Sequence, residues 1–415
     1  MASGSELDTE TLLNDLHKWV SAETLRKKNI EKYDLKVYGA DEKAEHYGSD
    51  IAFVDITAEN FDGDKREYSL VIKYGQMMKA LRDKLPIRDG FEREIDIYTK
   101  VVPAFHRFQQ EKNLPVFNSI PKCFLSKFTA TEEVIILENL KRAGFSIHKR
   151  QIPMDLNHMK FVLRAYAEWH ALSFAFKHQK KDEFDSITHT WINNPMKDFV
   201  CSGPGKLINV GQKNVYNILR NLNEIDLLNE YRSKTGDKDF VAILVDLLNN
   251  DEPQSVILHG DCWNSNFLFK YEDDDTEHEN CTKVALLDFQ MSSINSPVFD
   301  LSQFIYSCTS EEGLSQFDLM LDFYYDHFAN YLLELGTDPS VFTRSDLTAH
   351  WKKYAIYGAL LCPMILMFVL VDKNNTPEFD KDNYQDVLNT SVQKDEYRSR
   401  VVAVARHFVE HFEAL

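Results

Sequence analysis

The spacing of apolar residues changes character along the chain. Tyr33 to Tyr38, Asp50 to Thr57 and Tyr68 to Tyr74 alternate with period two and read as three antiparallel strands. Asn118 to Cys123 and Val134 to Leu137 read as two more strands of the same sheet. Ahead of them, Leu12, Leu13, Leu16, Trp19 and Val20 recur at helical spacing and predict an amphipathic helix over Asp8 to Arg26. Phe91, Ile95 and Tyr98 share one face of a further helix, with Glu94 at its edge and Glu92 pointing away.

From Asp155 onward the period is helical. Phe161, Val162, Ala165, Trp169, Leu172 and Phe176 predict a helix over Met159 to Lys177, in which His170 reads as a core or supporting histidine. Thr188 to Lys213 contains Pro195 and Pro204 and reads as irregular, and Val215 to Leu228 resumes helix. Further helices are expected near Leu314 to Leu335, Ser345 to Val371 and Val387 to Leu415. Strands first and helices afterwards predict an α+β chain of two lobes, an antiparallel sheet and a larger helical part.

One stretch, Ser255 to Ser302, breaks the helical pattern. The apolar run Val256 to Leu258 delivers His259, Gly260 and Asp261 to a bend, and Asn266 lies five positions past the aspartate. Phe267 to Tyr271 and Lys283 to Leu287 predict a hairpin, which sets Asn266 at the start of one strand beside Asp288 at the end of the other. Its connection, Glu272 to Asn280, is acidic but lacks the glycine and ligand spacing of a calcium loop, and reads as a solvated turn. Phosphoryl transfer needs a carboxylate that orients and deprotonates a hydroxyl, and oxygen ligands that hold magnesium against phosphates. Asp261 suits the first task, Asn266 and Asp288 the second. Each of these residues alone is ordinary in a turn; their order is what points to the chemistry.

Bulk properties narrow the partners. A formal net charge of −18 argues against nucleic acid, whose phosphates must be met by clustered Lys and Arg, and suits a neutral or cationic small molecule. The cysteines at 123, 201, 262, 281, 308 and 362 show no paired spacing, which predicts reduced thiols in a cytoplasmic protein rather than a zinc site or a disulfide framework. The polar, acidic start MASGSELDTE is unlike a leader. Tyr354 to Val371 is uncharged and reaches the roughly 18 residues of the shortest membrane spans, but with Pro363 at its middle it is expected to be a buried core helix, not a span.

HGDCWNSNFLF, LLDFQ and PVFDLSQF together resemble the ecdysteroid kinase-like family, within the choline kinase and aminoglycoside phosphotransferase group. Trp263 directly after Cys262 and Gln290 in place of a glycine after Asp-Phe point to that branch. The resemblance implies a bilobal protein-kinase-like fold: an N-lobe over 1–137, a hinge over 138–145 and a helical C-lobe over 146–415. It implies ATP and Mg2+ in the cleft, with a small-molecule hydroxyl as acceptor. Lys73 would hold phosphate oxygens and Glu94 would position it; a lysine and a glutamate both reaching solvent would read the same way. Glu138, Asn139 and Leu140 would face the adenine through their backbones. His259 and Asp300 would brace the loop of Asp261.

The phosphate-approaching turn departs from the family pattern. Ala44 to Ser49 carries Ala44 where the family has glycine and His46 where it has asparagine, leaving the Ser49 hydroxyl to meet a phosphate. Trp263, Trp351, Tyr354, Tyr357 and Met364 are candidates to line the acceptor pocket, although aromatic residues at helical spacing are more often core. Their apolar character favours an ecdysteroid, another steroid or a xenobiotic alcohol. The acidic balance keeps a choline- or ethanolamine-type amino alcohol open, and the altered turn keeps open a nucleotide-binding protein without catalysis.

Overall fold

The computed structural model of the protein describes residues 30–38, 49–60, 63–75, 82, 85–130, 132–236, 239–250, 252–272, 275, 280–372 and 384–413. The expected helix over Asp8 to Arg26 and the turn residues 44–48 lie outside them. The described chain divides into two compact units, one within 1–76 and 121–143, the other within 77–120 and 144–415.

The first unit is the period-two region. β1 (Ile30–Tyr38), β2 (Ser49–Asn60), β3 (Lys65–Gly75), β4 (Cys123–Phe128) and β5 (Glu133–Glu138) form one antiparallel sheet in the order β1-β2-β3-β5-β4. Ala52, Val54 and Ile56 of β2, Leu70 and Ile72 of β3, and Val134 and Ile136 of β5 fill one core, as alternation on a pleated strand requires. Lys73 falls on the odd positions of β3, opposite that core face, in register with Ile51 and Ile135. The strand expected over Asn118 to Cys123 begins instead at Cys123. Pro115 and Pro121 have no amide to give a ladder, which keeps this stretch irregular.

The second unit is mainly helical. It opens with α1 (Ile87–Asp96), which runs through a π turn (Ile97–Val101) into α2 (Val102–Glu111), the widened turn lying just ahead of Pro103, whose missing amide interrupts the ladder. This segment, with Glu94, groups with the helical unit. The cause is its aromatic face: Phe105 packs edge-on against Trp169 at 5.2 Å and Phe176 at 5.6 Å. Those rings sit on the central helix α3 (Leu156–Gln179), preceded by β6 (Phe145–Ile147).

After α4 (Lys181–Thr188), the stretch expected to be irregular holds two helices, α5 (Pro195–Cys201) and α6 (Leu207–Asn221). Pro195 starts a helix rather than breaking one: it stands at the first turn, where its absent amide is no loss, behind an Asn194 cap. The helix expected to run to Leu228 ends at Asn221, because Asn223 takes a left-handed turn (φ 60°) before α7 (Ile225–Thr235) and α8 (Phe240–Leu248). Four short strands follow, β7 (Val256–Ile257), β8 (Phe267–Tyr271), β9 (Cys281–Leu286) and β10 (Ile294–Asn295). Then come α9 (Val298–Cys308), α10 (Glu311–Leu314), α11 (Phe317–Glu334), α12 (Arg344–Tyr354), α13 (Ile356–Leu370), α14 (Tyr384–Val392) and α15 (Asp395–His411).

The long helix expected over Ser345 to Val371 is two, bent by 57° at Ala355. No single described helix is long and apolar enough to cross a membrane; the bent pair passes by length and composition only. Every residue of α13 is buried within the protein. Gly358 lets α13 lie against α9, where a Cβ would come within 2.3 Å of the Ser302 carbonyl carbon. Pro363 removes the amide that would bond the Ala359 carbonyl, and the Gln212 side chain replaces it, donating to Ala359 O (3.1 Å) and Leu360 O (3.0 Å). Tyr231 in turn donates to Gln212 Oε1 at 3.0 Å.

Replacing Gln212 by Leu keeps the volume roughly but leaves buried polar groups unmatched, so stability should fall by about 1–3 kcal/mol. A denaturant midpoint equal to that of the parent protein would contradict this account of how α13 tolerates its proline.

Candidate active site

The loop from His259 to Asn266 is held from behind before it reaches solvent. β7 pairs with β10, and α3 grips it by two bonds: Trp169 Nε1 donates to Ile257 O (2.7 Å) and the Ile257 amide donates to Ser173 Oγ (2.7 Å). Gly260 then turns with φ +89°, and a Cβ there would lie 2.2 Å from Met291 O, so the bend requires glycine twice over.

Asp300, on the first turn of α9 and 1% exposed, receives four donors. Its Oδ2 accepts the His259 amide (2.7 Å) and His170 Nε2 (3.0 Å); its Oδ1 accepts the Gly260 amide (2.9 Å) and the Cys262 thiol (3.2 Å). His170 Nδ1 faces the Tyr324 hydroxyl at 2.9 Å. Burial by itself would raise the Asp300 carboxyl, but the His170 hydrogen bond and charge, with His259 and the Gly260 amide, hold it below the usual carboxylate range.

The second element is tied to the first through one residue. β8 and β9 pair with Phe267 opposite Leu286, as the hairpin reading required, and the Leu287 amide donates to Asn266 O at 2.9 Å. The carbonyl of the same residue accepts His259 Nε2 at 2.7 Å. Leu287 is thus fixed on both sides, and Asp288 follows it directly in a left-handed conformation (φ 65°, ψ 72°) that a non-glycine residue seldom adopts.

Asp261 sits at the exit of the bend. Asn266 Nδ2 donates to its Oδ2 (2.7 Å) and to its main-chain O (2.9 Å), and Trp263 Nε1 donates to the same Oδ2 (3.2 Å). With the Asn266 nitrogen turned to Asp261, its carbonyl Oδ1 faces the other way and accepts no hydrogen bond among the described residues. That leaves Asn266 Oδ1 as a hard oxygen, a donor of the kind Mg2+ takes.

The aromatic candidates separate. Trp263 touches Asp261 directly. Tyr357 packs against Phe299 with tilted rings whose centroids lie 4.4 Å apart; burial, with Cys262, Asp300 and Asp261 nearby, holds its phenol well above the usual range. Trp351 packs on Phe317 (4.6 Å) and Tyr306 (5.7 Å) in the helical core, and Tyr354 bonds Glu252 and Asn250, so neither lies among the described partners of Asp261. Met364 is buried in α13.

In the sheet unit, Ser49 opens β2 and Lys73 lies in β3, both buried. There the amide of Glu138 donates to Lys122 O (2.8 Å) and that of Asn139 to Ser69 O (3.0 Å). Leu140 begins a single 3-10 turn. Glu94 is buried in α1. A separate cleft, lined by Arg93, Trp191, Asn193, Lys197, Asn249 and Ser293, does not include Asp261, Asn266 or Asp288. Residues that the sequence reading left out are the supports: Arg93, Trp169, Tyr324 and Cys262. His170 and Ser173 carried a faint signal as polar residues inside an apolar helical stripe.

A family model described as the ecdysteroid kinase-like family matches residues 43–337. The chain belongs to the ecdysteroid kinase-like family. As a member it is a phosphotransferase acting on small molecules, and the matched span includes Lys73, Glu94, Asp261, Asn266, Asp288 and Asp300. No curated protein matches the chain. Among solved structures it is similar to an ethanolamine kinase of Plasmodium vivax, with a TM-score of 0.40 and 15% identity over 97% of this chain and 98% of that one. It is also similar to a Haemophilus somnus protein named as a fructosamine-3-kinase, with a TM-score of 0.31 and 13% identity over 86% of this chain and 97% of that one.

In this family member three buried or half-buried histidines are harder to protonate than a free imidazole. Burial lowers His259; burial and His158 bring His148 down to about 4; burial and His411 bring His407 down to about 3. Each folded value lies below the ordinary histidine value of about 6.5, so the unfolded chain binds more protons as the pH falls below it. Stability should therefore be level above about pH 7 and decline steadily from about 6.5 towards 4. Melting temperatures across that range test this, and an unchanged value at pH 5 would contradict it.

Proposed function

We propose that the protein transfers the terminal phosphoryl group of ATP, with Mg2+, to a hydroxyl of an ecdysteroid or a comparable bulky alcohol. The observation that carries the reading is that Leu287, the residue just before Asp288, is bonded at both its amide and its carbonyl to the Asp261 loop. Asp261 takes the proton of the acceptor hydroxyl as the new oxygen–phosphorus bond forms and the bond to ADP breaks. The two N–H groups on its Oδ2 hold the carboxylate in one orientation for that step. Asn266 Oδ1 and the Asp288 carboxylate are the ligands assigned to Mg2+, which when bound neutralises charge on the phosphate oxygens.

In the same reading Lys73 and Ser49 take phosphate oxygens and Glu94 positions Lys73, roles that rest on the family resemblance. The hinge over 138–145 meets the adenine through backbone groups of Glu138, Asn139 and Leu140, a role that also rests on the family resemblance. Trp263 and Tyr357 are the aromatic groups assigned to the acceptor, and a flat, apolar molecule with one hydroxyl suits them better than a small cation. The six cysteines are free thiols, which suits the reducing cytoplasm.

Asp261→Asn should lower turnover by about a hundred- to ten-thousandfold while keeping the thermal shift given by ATP and magnesium. The assay pairs ATP consumption with a panel of ecdysteroids, other sterols, choline and ethanolamine. Full turnover in the variant would overturn the role of Asp261. Consumption with the amines alone would overturn the acceptor class, and binding of ATP without consumption against any acceptor would overturn catalysis.

A further inference from the structure

Arg93 precedes Glu94 in α1 and is 6% exposed, a place where a guanidinium is retained only with partners. Its Nη1 donates to Ser292 O (2.9 Å) and its Nη2 to Asn193 O (2.7 Å), while its Cζ lies 4.0 Å above the Trp191 ring. The two carbonyls belong to different segments. Ser292 closes the short turn that follows Asp288, and its hydroxyl donates to His259 O at 3.2 Å. Asn193 belongs to the strap Thr190 to Asn193 between α4 and α5.

That strap follows one face of α1. Asn193 Nδ2 reaches Asp89 (3.4 Å), Arg93 reaches Asn193, and Trp191 Nε1 donates to Asp96 Oδ2 (3.0 Å), contacts spaced four and three residues apart on the helix. Where α1 meets the turn after Asp288 the approach is close: a Cβ on Gly90 would lie 3.3 Å from Gln290 Cβ, and Tyr98 packs edge-on against Phe289 with centroids 6.4 Å apart.

We propose that Arg93 is a positioning residue: by bonding Ser292 and Asn193 together it fixes α1, and with it Glu94, against the segment that carries Asp288. This rests on the reading of Glu94 as the residue that positions Lys73 for the phosphates. The clamp is specific to a guanidinium, because two carbonyls on separate segments and a flat aromatic face need a planar group with donors on two sides. An ammonium keeps the charge but loses that geometry. In consequence α1 is held by the chain itself, and the helix needs no partner protein to bring Glu94 into register with Asp288.

The test is steady-state kinetics on Arg93→Ala, Arg93→Lys, Trp191→Leu and Glu94→Gln, each measured well below its own melting temperature, with hydrogen exchange of the α1 amides. Arg93→Ala should raise KM for ATP and lower kcat/KM for ATP on the order of tenfold or more, with KM for the acceptor moved less and α1 exchange accelerated. Arg93→Lys should recover part of the loss, and Trp191→Leu, which keeps the guanidinium but removes its wall, should show the same pattern more weakly. A merely structural arginine would lower the melting temperature and leave both KM values and the exchange of α1 as in the parent; that result overturns the inference. Should Arg93→Ala not fold, the Arg93→Lys and Trp191→Leu variants carry the same decision. If Glu94→Gln impairs ATP use and the Arg93 series does not, this inference alone fails. If Glu94→Gln changes nothing, the role given to Glu94 fails and takes the inference with it.

Discussion

A single buried carboxylate holds the loop to which the chemistry is assigned. Asp300 accepts two consecutive main-chain amides, His259 and Gly260, which a left-handed glycine bend would otherwise leave facing the protein interior without acceptors. A buried carboxylate is expensive unless its oxygens are filled, and here His170 and the Cys262 thiol fill the rest. Removing any one partner leaves a buried charge or a buried donor without compensation, so the arrangement is stable as a whole and poorly tolerant of change in part.

What this anchor positions is a chain of main-chain bonds rather than a cluster of side chains. His259 bonds the Leu287 carbonyl, Asn266 bonds the Leu287 amide, and Asn266 turns its side-chain nitrogen to Asp261. The result puts Asp261, Asn266 and Asp288 on one framework without direct contact between the two acids being needed. The same logic recurs at Arg93, whose bonds are also to main-chain carbonyls. Polar side chains in this kinase family member hold backbone in place, and the residues assigned to chemistry project from that backbone.

Much of the fold was legible in the sequence because its signals are local. Alternation in residues 50–74 gave the sheet, the 3.6-residue stripe from Phe161 to Phe176 gave the central helix, and two apolar runs around an acidic turn gave the hairpin that brings Asn266 to Leu287. Proline misled in both directions: Pro195 was a breaker by composition but a helix start by position, while Pro115 and Pro121 delayed a strand. Asp300 and His170 each read as supports, but the bond between them, like that between Arg93 and Ser292, was not legible, since these residues are joined only by tertiary contact. Aromatic character could not separate Trp351, which packs in the core, from Trp263, which touches Asp261, because both uses ask for the same residue. Burial of α13 likewise depends on Gln212, a residue that carries no mark of that role in its own surroundings.

The most direct measurement is ATP turnover together with the melting temperature of Asp300→Asn. An amide in that position keeps the size but presents one acceptor oxygen and two hydrogens to four donors. Stability should fall by about 3–5 kcal/mol, as when one member of a buried charged pair is removed. In the protein that remains folded, kcat should drop by at least about a hundredfold, because an ångström of misplacement at Asp261 is enough for that. A folded Asp300→Asn protein with the parent kcat would contradict the claim that this carboxylate sets the reactive loop.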